Sequence, residues 1–187
     1  MDLDKKYMSI AIELAKKANG FTFPNPPVGC VIVEQDKNGN EKIISVGNTQ
    51  LNGRPHAEEQ AISKIKFKKS KNYICYTTLE PCNHKSKFQS CTDRLINSPI
   101  KKVIFSVMDP DIRTKGKGYK RLIKAGISVK SGLLKKKALE LYKGYFSRQI
   151  KLKPFVTLKI ATSIDGKIAT KDNSIKWITN ISARKYS

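Results

Sequence analysis

Apolar and polar positions follow a helical period at the start of the chain and shorter, strand-like runs beyond it. Apolar side chains recur with helical spacing through residues 3–18, which predicts a helix over Leu3–Ala18. Asp2 or Asp4 can cap the start of this helix, and Gly20 suits its end. Apolar runs at 29–33 and 42–46, separated by the turn sequence DKNGN, predict a hairpin of two strands.

After the hairpin, segments with helical character alternate with short apolar runs. The pattern predicts helices at residues 57–65, 92–97, 119–125 and 134–146, and strands at 73–77, 102–106 and 127–130. Such alternation is typical of a sheet covered by helices on both faces. The sequence therefore predicts an α/β protein, a three-layer α/β/α sandwich around one mixed sheet.

Length and composition bound the class of protein. A chain of 187 residues with 39% hydrophobic and 28% charged residues can form one ordinary domain, with room for a short appendage. No apolar run approaches the roughly 18 residues that a membrane span requires. The first 20 residues read as a helix and lack the cleavage site of a secretion signal. We therefore expect a cytoplasmic protein without a membrane partner.

The net charge of +22 raises the question of nucleic-acid binding. The basic residues comprise 31 Lys but only 6 Arg, and 22 of them lie in residues 61–150, where they face only 5 acidic residues. Surfaces that read bases or grip phosphates depend on Arg. A lysine surplus of this kind is more typical of a solvated surface, so we expect no nucleic-acid partner. The sequence does not fix the number of subunits, and a homo-oligomer is compatible with it.

The four cysteines fall into two pairs of different character. Cys30 and Cys75 lie within apolar runs, where a free thiol behaves as a small buried hydrophobe. Cys82 and Cys91 lie in polar, turn-rich sequence, where burial gives no reason for them. In a reducing cytoplasm a disulfide between them is not expected, and metal binding is the usual alternative.

A candidate metal site combines this second pair with the segment Pro-His-Ala-Glu at 55–58. His56 stands at a predicted helix start, Cys82 follows a predicted strand, and Cys91 opens the next predicted helix. One imidazole and two thiolates suit zinc, which would keep a fourth position for water. Glu58 would then act as the proton shuttle of a hydrolytic deaminase, because H-x-E followed by P-C and a second cysteine is the signature of zinc deaminases.

The same residues also allow other interpretations, which involve no catalysis or a different ligand. His56 could simply cap a helix, and Glu58 with Glu59 could be first-turn acids that interact favourably with the helix dipole. His84 could replace a cysteine as ligand, although Cys91 fits better. A purely structural zinc site would need a fourth protein ligand and has no use for the acid at position 58.

The chain resembles the bifunctional riboflavin-biosynthesis deaminase/reductase family, the diaminohydroxyphosphoribosylaminopyrimidine deaminase / 5-amino-6-(5-phosphoribosylamino)uracil reductase. The eight residues between Cys82 and Cys91 match the spacing of this family and differ from the C-x-x-C of most zinc deaminases. The segments that carry the resemblance are PNPPVGCVIV (24–33), PHAE (55–58), TLEPCNHKSKFQSC (78–91), DPDIRTKGKG (109–118), AGISV (125–129) and KPFVTLKIATSIDGKIA (153–169).

The resemblance implies a cytidine-deaminase-like fold and a role for each of seven residues. The implied zinc ligands are His56, Cys82 and Cys91, the proton shuttle is Glu58, and the substrate contacts are Asn25, His84 and Lys87. The implied reaction is the hydrolysis of 2,5-diamino-6-hydroxy-4-(5-phosphoribosylamino)pyrimidine to 5-amino-6-(5-phosphoribosylamino)uracil and ammonia in riboflavin biosynthesis. The partner is then a small phosphoribosyl aminopyrimidine, and a base deaminase acting on tRNA or another nucleic acid is the alternative.

The chain departs from the family at four positions that bear on sugar and phosphate binding. Phe88, Gln89 and Ser90 replace the usual threonine and prolines before the second cysteine, and Asp111 replaces the usual asparagine.

Two domains are expected, a zinc-dependent pyrimidine deaminase at 1–150 and a truncated start of a reductase at 151–187. In the second segment one strand, Phe155–Ala161, and a short helix are expected. Reductase activity is not expected from this chain alone, and NADPH would be a cofactor only with a complete reductase domain.

Overall fold

A computed structural model describes the chain apart from Met1, Lys69, residues 85–87, Asn173, Ile175, Lys176 and Ser187. The chain divides into two compact units, Met1–Pro154 and Phe155–Ser187. Within the described residues, every helix is too short or too polar to cross a membrane.

The described residues of the first unit form five strands and six α-helices. The strands are β1 (Gly29–Gln35), β2 (Glu41–Asn48), β3 (Asn72–Leu79), β4 (Ile100–Val107) and β5 (Ser128–Ser131). The helices are α1 (Leu3–Ala18), α2 (Ala57–Ser63), α3 (Cys91–Ile96), α4 (Lys117–Lys124), α5 (Lys135–Leu141) and α6 (Lys143–Phe146). A 3-10 turn spans Leu51–Gly53, and a π-helical turn, Ser147–Lys151, follows α6.

The strands form one mixed sheet in the order β2-β1-β3-β4-β5. The pairs β1/β2 and β1/β3 are antiparallel, whereas β3/β4 and β4/β5 are parallel. Helices α1 and α5 contact each other and the sheet, while α2, α3 and α4 form a second contiguous layer. The predicted three-layer sandwich around a mixed sheet is confirmed.

Local sequence explains the first helix. The side chain of Asp2 accepts a hydrogen bond from the backbone N–H of Asp4, which satisfies one of the free donors at the helix start. The helix ends at Ala18, and Gly20 two residues later adopts a positive φ of 88°. Its apolar stripe is buried in the core, as the sequence period predicts.

Two predicted elements differ from the structure. The predicted helix 134–146 is broken at Tyr142, which lies between α5 and α6 with a φ of −105°. Its buried hydroxyl is 2.6 Å from that of Thr78, so a tertiary contact outweighs the helical pattern there.

The second unit lacks the predicted strand. Phe155–Ala161 forms no ladder, because a strand requires a partner for its backbone groups. The short helix expected in this segment is present as α7 (Ile181–Tyr186). Apolar side chains of the unit are exposed, among them Val156, Leu158, Ile164 and Trp177.

Two glycines allow helices to approach the sheet closely. A Cβ atom at Gly29 would lie 1.9 Å from the carbonyl oxygen of Ala11 in α1. A Cβ atom at Gly47 would lie 2.2 Å from the carbonyl oxygen of Ala57 and 2.9 Å from the amide nitrogen of Ala61, both in α2. The absence of a side chain at Gly47 therefore determines how near the first turn of α2 lies to the sheet.

Replacing Gly47 by alanine is expected to lower the free energy of unfolding by about 1–3 kcal/mol, because α2 must move to relieve the overlap. Urea unfolding followed by circular dichroism measures this change. A loss of less than about 0.5 kcal/mol, the size usual for a surface substitution, would show that α2 is not closely constrained.

Candidate active site

A cleft opens at the carboxyl ends of β3 and β4, where the loops that follow these parallel strands meet the start of α2. Its volume, including the open mouth, is about 690 Å³. The lining side chains include His56, Glu58, Glu80 and Cys82. The residues singled out from the sequence are thus brought to one cleft from separate parts of the chain.

Three potential metal ligands meet beside this cleft. His56 is the N-cap of α2, Cys82 lies in the loop after β3, and Cys91 is the first residue of α3. The Nδ1 atom of His56 is 3.5 Å from Sγ of Cys82 and 3.4 Å from Sγ of Cys91. Their ligand atoms all lie within 4.8 Å of one another, and no other such group of His, Cys, Asp or Glu occurs among the described residues.

The spacing of these atoms fits a tetrahedral zinc ion. Ligands about 2.1 Å (nitrogen) and 2.3 Å (sulfur) from a tetrahedral zinc lie roughly 3.6 Å apart, close to the observed nitrogen–sulfur distances. Two thiols and one imidazole are also the ligand types that zinc prefers. Three protein ligands leave one tetrahedral position for water or substrate, as in catalytic sites.

The two thiols differ in acidity because they share hydrogen bonds. A hydrogen bond from Cys91 and contacts with the His56 ring lower the pKa of Cys82 to about 4, although burial opposes this change. The same pairing with Cys82, together with burial and the nearby Glu58, raises the pKa of Cys91. The backbone N–H of Cys91, at the helix start, also donates to Sγ of Cys82 at 3.3 Å. The first thiolate of the pair therefore forms on Cys82.

Glu58 is buried in the second position of α2, with a side chain directed at the same point. Its Oε1 accepts a hydrogen bond from the hydroxyl of Thr77 in β3 at 3.2 Å. Burial and the negative charge of Cys82 raise its pKa, against the opposing influence of His56. A carboxyl group of raised pKa next to candidate metal ligands is suited to accept and return a proton.

The neighbouring carboxylate, Glu59, ties the elements of the metal site together. Its Oε1 accepts a hydrogen bond from Arg94 of α3 at 2.6 Å, and its Oε2 accepts one from Arg54 at 3.3 Å. Glu59 therefore connects α2 both to the helix that begins with Cys91 and to the loop before His56. Only 18% of its side chain is exposed, which reduces solvent screening of both ion pairs.

A buried carboxylate, Glu80, positions the wall of the cleft formed by residues 109–119. Its oxygens accept hydrogen bonds from the backbone N–H groups of Asp109, Gly116 and Tyr119, at 3.3, 3.0 and 3.0 Å. These donors lie in the loop after β4 and at the start of α4. The glutamate of the T-L-E-P-C segment thus fixes a second loop rather than the metal.

The predicted substrate contacts have different outcomes. Asn25 lines the cleft, donates a hydrogen bond to the carbonyl of Gly53 at 2.9 Å and lies 3.4 Å from Nε2 of His56. His84 also lines the cleft, and its buried Nδ1 has no hydrogen-bond partner among the residues that the structure describes. Lys87 lies outside the described residues. His84 is not one of the three clustered ligand groups.

The departures from the family pattern have local partners in the structure. Ser90 caps α3 by accepting a hydrogen bond from the N–H of Asp93 at 3.1 Å. Asp111 is buried and pairs with Arg113, whose Nε lies 3.0 Å from Oδ1, and this ion pair lowers the pKa of Asp111. The guanidinium of Arg54 stacks over the ring of Phe88 at 4.6 Å.

Sequence reasoning missed the part of the cleft lined by Tyr145, Arg148 and Gln149, which lie in α6 and the following π-helical turn. Asp109, from the segment 109–118 quoted above, lines the same cleft. Burial raises the pKa of Asp109 to about 6, against hydrogen bonds donated by the N–H of Asp111 and the hydroxyl of Tyr145. No spacing rule links α6 and the following turn to the His and Cys motifs, so their position could be found only from the fold.

Comparison with known families and proteins agrees with this geometry. Residues 1–107 match the family described as cytidine and deoxycytidylate deaminase zinc-binding region, and residues 154–187 match the RibD C-terminal domain. Riboflavin biosynthesis protein RibD of Aquifex aeolicus is 41% identical over 186 residues, covering all of this chain and 51% of the relative. The chain spans about half the length of such relatives.

A shorter relative and a solved structure are also similar. The diaminohydroxyphosphoribosylamino-pyrimidine deaminase of Buchnera aphidicola subsp. Schizaphis graminum is 45% identical over 145 residues, covering 78% of this chain and 95% of the relative. The crystal structure of a diaminohydroxyphosphoribosylaminopyrimidine deaminase/5-amino-6-(5-phosphoribosylamino)uracil reductase from Thermotoga maritima has a TM-score of 0.88 and 38% identity, covering 98% of this chain and 52% of that one. The chain therefore belongs to the zinc-binding cytidine and deoxycytidylate deaminase family and, within it, to the riboflavin-biosynthesis deaminases.

Proposed function

We propose that this chain catalyses the zinc-dependent hydrolytic deamination of 2,5-diamino-6-hydroxy-4-(5-phosphoribosylamino)pyrimidine. The products are 5-amino-6-(5-phosphoribosylamino)uracil and ammonia, a step of riboflavin biosynthesis. The observation that carries the proposal is the convergence of His56, Cys82 and Cys91 beside the buried Glu58, at one cleft. The Buchnera relative, 95% of which this chain covers, is named for this deamination.

The proposed zinc ligands are His56, Cys82 and Cys91. Bound zinc would supply a Lewis acid that makes a water molecule more acidic and polarises the reacting ring. The early formation of a thiolate on Cys82 favours metal capture, because the thiolate is the form that binds.

Glu58 moves protons in the proposed reaction. Its carboxylate takes one proton from the attacking water and delivers it to a ring nitrogen. It then takes the second proton from the hydroxyl group added to the ring carbon and delivers it to the departing amino group. A carbon–oxygen bond forms, the carbon–nitrogen bond to the amino group breaks, and ammonia leaves. The raised pKa of Glu58 suits this role, since an acid-base group works best when its pKa lies near the working pH.

The pyrimidine is proposed to lie between Asn25 and His84. The unpartnered Nδ1 of His84 offers a polar contact inside the cleft, and the amide of Asn25 is held in place by Gly53. Lys87 is retained as a proposed contact of the substrate because it lies between Cys82 and Cys91 in the sequence. A small-molecule substrate fits these polar groups without any role for the basic surface.

The domain assignment is also a proposal. We infer that the deaminase occupies residues 1–150 and that 151–187 correspond to the beginning of a reductase domain. Support comes from the division of the chain after Pro154 and from the match of 154–187 to the RibD C-terminal domain. The deaminase chemistry proposed above depends on residues of the first unit alone.

Ammonia release from the phosphoribosyl diaminopyrimidine by the purified, zinc-loaded chain tests the proposed function. We expect turnover that stops when a chelator removes the metal and returns when zinc is restored. A tRNA or single-stranded RNA substrate serves as the comparison. Specific deamination of an RNA base, with no ammonia from the pyrimidine, would replace this proposal with the nucleic-acid alternative.

A further inference from the structure

Arg148 lines the cleft, and its contacts fix the orientation of its side chain. One of its terminal nitrogens donates a hydrogen bond to the carbonyl oxygen of Pro24 at 2.6 Å. Its guanidinium carbon lies 5.6 Å from the ring centre of Phe23 and 5.7 Å from that of Tyr145. Tyr145 is itself held by a 2.8 Å hydrogen bond that its hydroxyl donates to Asp109. Arg148 is thus anchored by neutral groups on three sides.

Arg148 differs in its ion pairing from the other arginines of its unit. Five arginines occur in Met1–Pro154, and four of them form ion pairs with carboxylates. The pairs are Arg54 and Arg94 with Glu59, Arg113 with Asp111, and Arg121 with Asp93. Arg148 makes no ion pair with any residue that the structure describes. A cation that is oriented but not neutralised, on the wall of a cleft, is a preformed receptor for an anion.

The position of Arg148 relates this receptor to the candidate metal centre. It bonds to Pro24, and the next residue, Asn25, lies against the His56 ring. The anion receptor and the metal ligands are therefore joined through one short loop. A substrate whose reacting ring lies at His56 would extend its substituent along this loop towards Arg148.

We propose that Arg148 binds the phosphate of the substrate's phosphoribosyl group and so selects phosphorylated over dephosphorylated aminopyrimidines. This inference rests on the proposed function. The planar guanidinium can donate two parallel hydrogen bonds to a phosphate monoester, an arrangement that a lysine cannot reproduce. Since the rings of Phe23 and Tyr145 already hold the guanidinium, little side-chain entropy remains to be lost when phosphate binds.

The carboxylates of the cleft do not cancel this attraction. Glu80 is occupied by three backbone N–H groups, and Asp111 is neutralised by its arginine partner. Glu58 lies at the metal end. Asp109 accepts a hydrogen bond from the hydroxyl of Tyr145. The ring of Tyr145 lies next to the Arg148 guanidinium, so in this chain of contacts Tyr145 lies between Asp109 and Arg148. The region next to Arg148 is therefore the most favourable place in the cleft for a dianion.

The test compares Arg148→Gln and Arg148→Lys with the unaltered chain, all loaded with zinc. Arg148→Gln is expected to raise KM for the phosphorylated substrate about 10- to 100-fold, the usual effect of losing a charge-assisted hydrogen bond, with kcat changed less than about threefold. KM for the same compound without its phosphate should not change. KM of Arg148→Lys for the phosphorylated substrate should fall between those of the unaltered chain and Arg148→Gln, because lysine keeps the positive charge but cannot donate two parallel hydrogen bonds.

Binding of ribose 5-phosphate by calorimetry gives a readout independent of turnover. The unaltered chain should bind ribose 5-phosphate better than ribose, and Arg148→Gln should lose this difference. Lys151→Gln is the matched control, since it removes one positive charge from an exposed position in the same turn and should leave both KM values unaltered.

Equal KM values for the phosphorylated substrate in Arg148→Gln and the unaltered chain would overturn the proposal. It would also be overturned if both substrates lost affinity equally, since Arg148 would then only shape the cleft, or if the unaltered chain did not prefer ribose 5-phosphate. Arg148-dependent binding of ribose 5-phosphate without any ammonia release would instead preserve the anion site and reject the proposed deaminase reaction.

Discussion

Replacement of Glu58 by glutamine is expected to lower kcat for ammonia release by about 100- to 10,000-fold, the range typical of a lost acid-base group. Glutamine keeps the size of the side chain, and its amide oxygen can still accept the hydrogen bond from the hydroxyl of Thr77. It cannot accept and return a proton. Steady-state ammonia release at saturating substrate measures the effect, and zinc content measured on the same preparation shows whether the metal is retained.

The control for this variant is Glu13→Gln, which makes the same chemical change on the exposed face of α1. We expect it to keep full activity. Activity of Glu58→Gln within a few-fold of that control would eliminate the proton shuttle from the proposed mechanism. Loss of zinc in Glu58→Gln would show instead that this residue acts by maintaining the metal site.

Replacement of Cys91 by serine is expected to lower zinc affinity by at least about 100-fold, because even residues that only support a ligand contribute 10- to 100-fold. A serine hydroxyl remains protonated at neutral pH and is a poor zinc ligand. The variant also removes the thiol that hydrogen-bonds to Cys82 and lowers its pKa. Metal analysis after dialysis and ammonia release should decline together.

Cys75→Ala is a suitable comparison for Cys91→Ser, since Cys75 is a fully buried thiol whose Sγ lies 3.6 Å from that of Cys30. It should retain zinc even if the protein becomes less stable. Full zinc occupancy in Cys91→Ser, combined with zinc loss in His84→Ala, would show that the ligands were assigned wrongly.

Most of the fold followed from periodicity, with errors where tertiary contacts intervene. The bounds of α1 were correct because its apolar stripe, cap and terminal glycine all agree. Strands β2 and β3 extend beyond the predicted apolar runs, because strand pairing continues through Gly47 and Asn48 in β2 and reaches Leu79 in β3, positions outside those runs. The break at Tyr142 depends on Thr78, and no local pattern contains that information.

Part of the candidate site was also predictable from the sequence, and part was not. The clustering of His56, Cys82 and Cys91 was predictable because they are chemically distinctive residues next to recognisable helix starts and a strand end. The position of Arg148 was not, because its contacts in the cleft are a backbone carbonyl and two rings, and Pro24 lies more than a hundred residues away in sequence. Contacts of this kind leave no spacing pattern.

The ion pairs of Glu59 have a consequence for the uptake of the proposed zinc ion. They fasten α2 to α3 and to the loop before His56 through groups that do not themselves bind metal. The conformational entropy of aligning the three ligands is therefore lost when the chain folds, and little of it remains to be lost when an ion arrives. In the proposed zinc site, the ion would therefore meet ligands that the fold already holds together.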